Sequence, residues 1–294
     1  MKQIILFLIL ALLLTGCTSA AAPADIAATT LPVYEFTLRL CDGTPLTVTR
    51  LVTEEVSCLH DYSLNVRQVK AAEAARVTVI SGAGLEDFLD GVIPQEGIID
   101  ASHGIPLLSG ENEHHHGHGH DEEEHHHHHE EDPHIWLSPD NAKQMAVNIC
   151  NGLSLVYPEY SDHFHSNLDP LLEELDTLQR YGDETLADLR CRELITFHDG
   201  FAYFAHAFDL TVLRSMEEES GREASAKELI GLIEEVEYHS LPAVFTEKSG
   251  SVSAAGILSR ETGCGVYALD MAMSGESYFD AMYRNIDTVK EALQ

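Results

Sequence analysis

The stretch ELITFHDGFAYFAHAFDLTVLR, residues 193–214, decides the fold class. ELITF is a short apolar run bounded by a turn signal, GFAYFAHAF reads as a helix, and LTVL returns to a strand pattern. The alternation continues downstream. SAKELIGLIEEVEYH opens with a capping box formed by Ser225 and Glu228, and is followed by the strand PAVFT. A helix from Ser251, the strand GVYAL and a last helix from Ser277 complete the series. Strands alternating with helices predict an α/β fold, a mainly parallel sheet with helices on both faces. Ligands of such sheets gather where the strands end and the loops converge.

Upstream, leucines recur at helical spacing with acids between them in LDPLLEELDTLQRYGDETLADL, which predicts a long amphipathic strut over residues 158–190 despite Gly182. A second α/β block precedes it. NVRQVKAAEAA reads as a helix, RVTVIS and GIIDAS as strands, and GAGLEDFLD as a glycine turn opening a short helix. Ser138-Pro139 supplies an N-cap and a first-turn proline for a helix reaching about Val156. YEFTLRLCDGTPLTVTRLV, residues 34–52, alternates around an Asp-Gly turn and reads as two strands. The expected organisation is therefore two lobes, 30–157 and 191–294, joined by the strut.

Met1-Lys2, an apolar run from Ile4 to Leu14 and then Thr15-Gly16-Cys17 read as a secretory signal over residues 1–16. The run is shorter than the roughly 20 apolar residues a membrane span needs. Leu14-Thr15-Gly16-Cys17 resembles a bacterial lipobox, which makes Cys17 the lipidated residue. Two acyl chains suffice for stable anchoring. Residues 17–29 then form a tether, and the protein is expected outside the cytoplasm on the bacterial cell membrane. A formal net charge of −32 excludes nucleic-acid binding and suits cation attraction. Disulfides are permitted in that compartment. Cys41 with Cys58 is the preferred pair, and Cys150 with Cys191 the next; no Cys-x-x-Cys suggests a zinc knuckle.

Four metal-ligating residues fall at strand ends or helix starts: His60 after the second strand, His134 before the capped helix, His198 after ELITF, and Asp270 after GVYAL. Three imidazoles and a carboxylate form a ligand set that suits zinc. The segments HDYSLNVRQVKAAEAARVTVISGAGLEDFL, DPHIWLSPDNAKQMAVNI, FHDGFAYFAHAFDL and ETGCGVYALD occur in that order. Together they resemble the metal-binding lipoproteins that serve ABC importers for zinc and manganese (cluster A-1, or cluster 9). The resemblance runs from about His60 to the C-terminus. It implies two α/β lobes, a rigid linking helix and a metal in the cleft between them. It also implies His60, His134, His198 and Asp270 as ligands, an ABC permease with its ATPase as partners, a monomer, and no catalysis. Manganese-type members usually carry glutamate where His198 stands, so zinc is favoured over Mn2+. The pattern departs in three places. SCLHDY lacks the usual proline, Leu59 replaces a glutamate found in some zinc members, and no proline follows Asp270. Water is thus the alternative fourth ligand. CDGTPLTVTR is expected to stand in place of the family's usual first helix.

The tract between Gly110 and Pro133 holds ten histidines, nine acids and no lysine or arginine. It cannot bury apolar surface and reads as a disordered loop that collects zinc loosely. His103, His163, His165 and His239 read as surface residues, His206 as packing, and Asp199 as a helix N-cap. Rival readings are a surface metal store or adhesin on the same scaffold, and a zinc hydrolase, for which His-Glu-x-x-His is missing.

Overall fold

A computed structural model describes residues 24–56, 59, 62–108, 131–216 and 224–294. Two parallel four-stranded sheets form the framework. The first has the order β2-β1-β3-β4, with β1 (Ile26–Ala28), β2 (Val48–Arg50), β3 (Val77–Ile80) and β4 (Ile98–Asp100). The second has the order β6-β5-β7-β8, with β5 (Glu193–Thr196), β6 (Thr211–Ser215), β7 (Ala243–Glu247) and β8 (Gly265–Leu269). Every pairing is parallel. The fold is the expected α/β architecture.

The helices of the first lobe are α1 (Leu31–Leu40), α2 (Val66–Ala74) and α3 (Pro139–Val156). Next comes α4 (Ser161–Thr185), 25 residues or about 37 Å at 1.5 Å per residue. It packs on α1 and α3 and, further along, on the C-terminal helix. The second lobe carries α5 (Ala202–Ala207), α6 (Ala226–His239), α7 (Ser253–Thr262) and α8 (Tyr278–Leu293). Caps account for several starts. Asn65 with Gln68 and Ser225 with Glu228 form reciprocal capping boxes, and the Ser138 hydroxyl accepts the Asn141 N–H.

Three expectations are corrected near the N-terminus. Residues 34–40 are helical, so the family's first helix is present. Pro32 sits in the first turn, and Leu31, Val33, Phe36 and Leu40 are buried. The Asp-Gly pair follows the helix C-cap, Cys41, instead of turning a hairpin, and Gly43 takes the left-handed φ of +76°. Ile26–Ala28, expected to lie in the tether, instead form a fully buried strand paired on both sides; residues 1–23 lie outside the described residues. The Cys150–Cys191 pairing is not met, since both residues carry free thiols; Cys41 is also a free thiol, and its expected partner Cys58 lies outside the described residues. The Cys41 thiol is packed into the core, and burial pushes its pKa up to about 12.

One hydrophobic core runs continuously through both lobes, from Ile26 through Trp136 and Leu175 to Leu293. Polar ties follow the same boundary. Trp136 Nε1 donates to the Met271 carbonyl (2.7 Å), and the Tyr278 hydroxyl donates to the Trp136 carbonyl (2.8 Å). Glu35 Oε2 accepts the Tyr278 N–H (2.7 Å) and so satisfies an otherwise orphaned donor at the start of α8. Arg39 pairs with Glu35 and Glu174 and stacks over Phe279, joining α1, α4 and α8.

Gly182 does not interrupt α4. A Cβ there would stand 2.1 Å from the Phe208 ring, so the missing side chain lets the second lobe close on the strut. Gly182→Ala is expected to lose about 1–2 kcal/mol in urea unfolding, because overpacking outweighs the gain of about 1 kcal/mol in helix propensity. Unchanged or increased stability would contradict this packing. Glu86 is the second test. It is buried and accepts from the Thr29 hydroxyl and the Ser81 and Gly82 N–H groups. Burial, chiefly, pushes its pKa up to about 7 from an ordinary 4.5. The folded state therefore binds the proton more tightly than the unfolded chain. The stability this confers is full below about pH 4.5 and is lost as pH rises through 7. Urea unfolding should show wild-type stability falling relative to Glu86→Gln from pH 5 to pH 7.5; a difference independent of pH would refute the assignment.

Candidate metal centre

The strand ends of the second sheet carry the chemistry. β5, β7 and β8 are neighbours. The first is followed by His198, the second ends at Glu247 and the third is followed by Asp270. Opposite them, His134 leads into a single 3-10 turn, Ile135–Leu137, ahead of α3. The His134 and His198 rings, 64 residues apart in sequence (198 less 134), meet edge to face with centroids 5.3 Å apart. Both are buried, at 1% and 6% exposure.

Asp132 fixes His134. Its Oδ1 accepts the His134 backbone N–H (2.9 Å) and lies 2.8 Å from the ring Nδ1. A carboxylate on Nδ1 selects the tautomer that keeps its proton there, leaving Nε2 with a lone pair. His134 Nε2 is buried and has no hydrogen-bond partner among the described residues. A buried polar atom left in that state is costly, and a metal ion is the partner its chemistry fits. His198 has a parallel arrangement, with Nδ1 4.0 Å from Glu247 Oε2.

Glu247 was not among the residues singled out by sequence. The signal was present, because Glu247 follows PAVFT as His198 follows ELITF. The carboxyl is 5% exposed, and its pKa is pushed up to about 8 by burial and then by Asp270. A cation beside it would oppose that shift.

Asp270 is heavily engaged. One oxygen accepts the Ala272 N–H (2.9 Å), and the other pairs with Lys248 (3.2 Å) and Arg284 (3.7 Å). Asn285 holds its backbone on both sides. His60 lies outside the described residues, as do Cys17 and most of the histidine-rich tract. Among the described residues, no three His, Cys, Asp or Glu side chains stand together as a metal site.

Other expectations resolve as follows. Asp199 does not cap α5, whose N-cap is Phe201; its carboxylate accepts the Ser215 hydroxyl (3.0 Å) instead. His206 is exposed and does not pack, and His239 is half-buried against Glu193 (2.9 Å). His103, His163 and His165 are exposed as expected, and Tyr203 and Phe204 are buried.

Comparison with known proteins identifies the family. The family profile for ZnuA, described as zinc-uptake complex component A, periplasmic, matches residues 26–292. The zinc-binding lipoprotein AdcA of Streptococcus pneumoniae is 29% identical over 309 aligned residues, covering 99% of this chain and 61% of AdcA. A putative metal-binding protein of Treponema pallidum is 27% identical over 242 residues, covering 79% of this chain and 76% of that protein. The chain thus spans about three-fifths of the AdcA relative. Among solved structures, ZnuA superposes with a TM-score of 0.76 at 28% identity, covering 92% of this chain and all of that one. The Zn(II)-bound ZnuA-like domain of S. pneumoniae AdcA gives 0.75 at 26% identity, covering 92% and 98%. With the family profile matching nearly the whole described chain, the protein belongs to the ZnuA family of periplasmic zinc-uptake components.

Proposed function

We propose that this protein is an extracytoplasmic receptor that captures a zinc ion where its two lobes meet and delivers it to an ABC-type permease and its ATPase. His60, His134 and His198 supply three imidazoles. Asp270 is the fourth donor implied by the family resemblance; Lys248 and Arg284 share one of its carboxylate oxygens, and the other accepts a single N–H. Water is the alternative. Imidazole donors suit zinc better than manganese, which prefers carboxylate oxygens. The observation that carries this reading is His134 Nε2, buried, without a partner among the described residues, beside the His198 ring.

The mechanism is coordination, with no bond made or broken in the cargo. Asp132 holds the His134 proton on Nδ1, so Nε2 meets the ion without first losing a proton. Glu247 faces His198 from the neighbouring strand and offsets the positive charge the ion brings into a buried site. The net charge of −32 draws cations toward the surface. The tract from Gly110 to Pro133 collects zinc loosely and raises its concentration near the cleft. A lipid on Cys17 holds the receptor at the membrane, in keeping with the name of its S. pneumoniae relative. No helix among the described residues is long and apolar enough to cross a membrane.

Substituting His60, His134 and His198 together with alanine should abolish tight zinc binding by calorimetry and elemental analysis. Deleting residues 111–131 should leave one tight site. Unchanged affinity in the triple variant, or loss of the tight site in the deletion, would refute the division of labour proposed here.

A further inference from the structure

We propose that Tyr203 latches the His134-bearing segment of the first lobe to the second lobe and thereby sets how long the cleft retains its ion. The proposal rests on the zinc reading above. Tyr203 lies on α5, five residues after His198, and is 3% exposed. Its hydroxyl donates to the Asp132 carbonyl (3.0 Å) and accepts the Leu108 N–H (2.9 Å). The Asp132 N–H in turn donates to the Leu108 carbonyl (3.0 Å). One phenol from the second lobe therefore ties together the two chain ends that bracket residues 109–131 and fastens both across the lobe boundary.

The tie continues to the metal side. Asp132 uses Oδ1 to hold the backbone N–H and ring Nδ1 of His134. Tyr203 positions Asp132, and Asp132 positions His134. Parting the lobes at this point strips the hydroxyl of two backbone partners at once, which leaves the half-buried Leu108 N–H short of an acceptor and the buried Asp132 carbonyl short of a donor. Burial pushes the phenol pKa up to about 12, so the hydroxyl remains a donor throughout the physiological range. Tyr203 is a positioning residue in this scheme and does not contact the ion.

Tyr203→Phe removes one oxygen and keeps the ring. Zinc release from the loaded full-length protein to a strong chelator, followed by stopped flow, should be about tenfold faster than in wild type. In the zinc-free protein, 15N histidine NMR should show His134 in the Nδ1–H tautomer in wild type and as a tautomer mixture in Tyr203→Phe. A purely structural tyrosine would not produce that change. Because the latch acts through Asp132, the variant carrying both Asp132→Asn and Tyr203→Phe should release zinc no faster than Asp132→Asn alone. A wild-type release rate in Tyr203→Phe, an effect that multiplies fully with Asp132→Asn, or failure of Tyr203→Phe to unfold cooperatively would each overturn the latch. Failure of the wild-type protein itself to hold zinc would instead sink the receptor reading.

Discussion

Burying an imidazole nitrogen without a hydrogen-bond partner costs free energy, and His134 Nε2 is in that state among the described residues. The neighbouring groups hold it there. Asp132 occupies the other ring nitrogen, Trp136 packs edge to face at 5.4 Å, and His198 approaches from the opposite lobe. A ring fixed on three sides with one nitrogen open is pre-organised for a metal, because the binding energy is not spent on ordering the ligand.

The framework keeps the two histidines in register by making the lobe boundary a packed core. Trp136, two residues from His134, donates to Met271, one residue from Asp270, so the two halves of the site are joined by a direct bond. Tyr278, Glu35 and Arg39 extend that junction to α1, α4 and α8. At Gly182 the strut admits the Phe208 ring at a distance no side chain would tolerate. Such a boundary favours small local release movements over wide opening, since separating the lobes would expose a continuous apolar core.

Much of this was legible in the sequence, for identifiable reasons. Ser138-Pro139 and Ser225 with Glu228 announce their helices by local hydrogen bonding, and the βα alternation after residue 193 depends on short-range pattern alone. The reading failed at residues 34–40, where Tyr34, Phe36, Leu38 and Leu40 alternate like a strand. Leu38 is 47% exposed, and the buried stripe is the helical one through Leu31, Val33, Phe36 and Leu40. Period two and period 3.6 coincide over so short a span, and packing decided between them. Gly182 argued against a continuous helix because propensity is local, whereas Phe208 is a tertiary neighbour. At the site, His134 and His198 were singled out by their positions at element boundaries together with the family resemblance, and the fold sets their two rings side by side. Glu247 was passed over because an acid beside a strand is ordinarily a solvated residue; only the order of the strands places it against His198.

The account depends on one ion shared by rings from both lobes. A crystal structure of the zinc-loaded protein, supported by X-ray absorption at the zinc edge, tests this most directly. The expected result is a single tightly held zinc with His134 Nε2 and His198 Nε2 each about 2.0–2.1 Å away, and Asp132 still on His134 Nδ1. Zinc bound with neither ring in its coordination sphere, or held by one ring only, would contradict it.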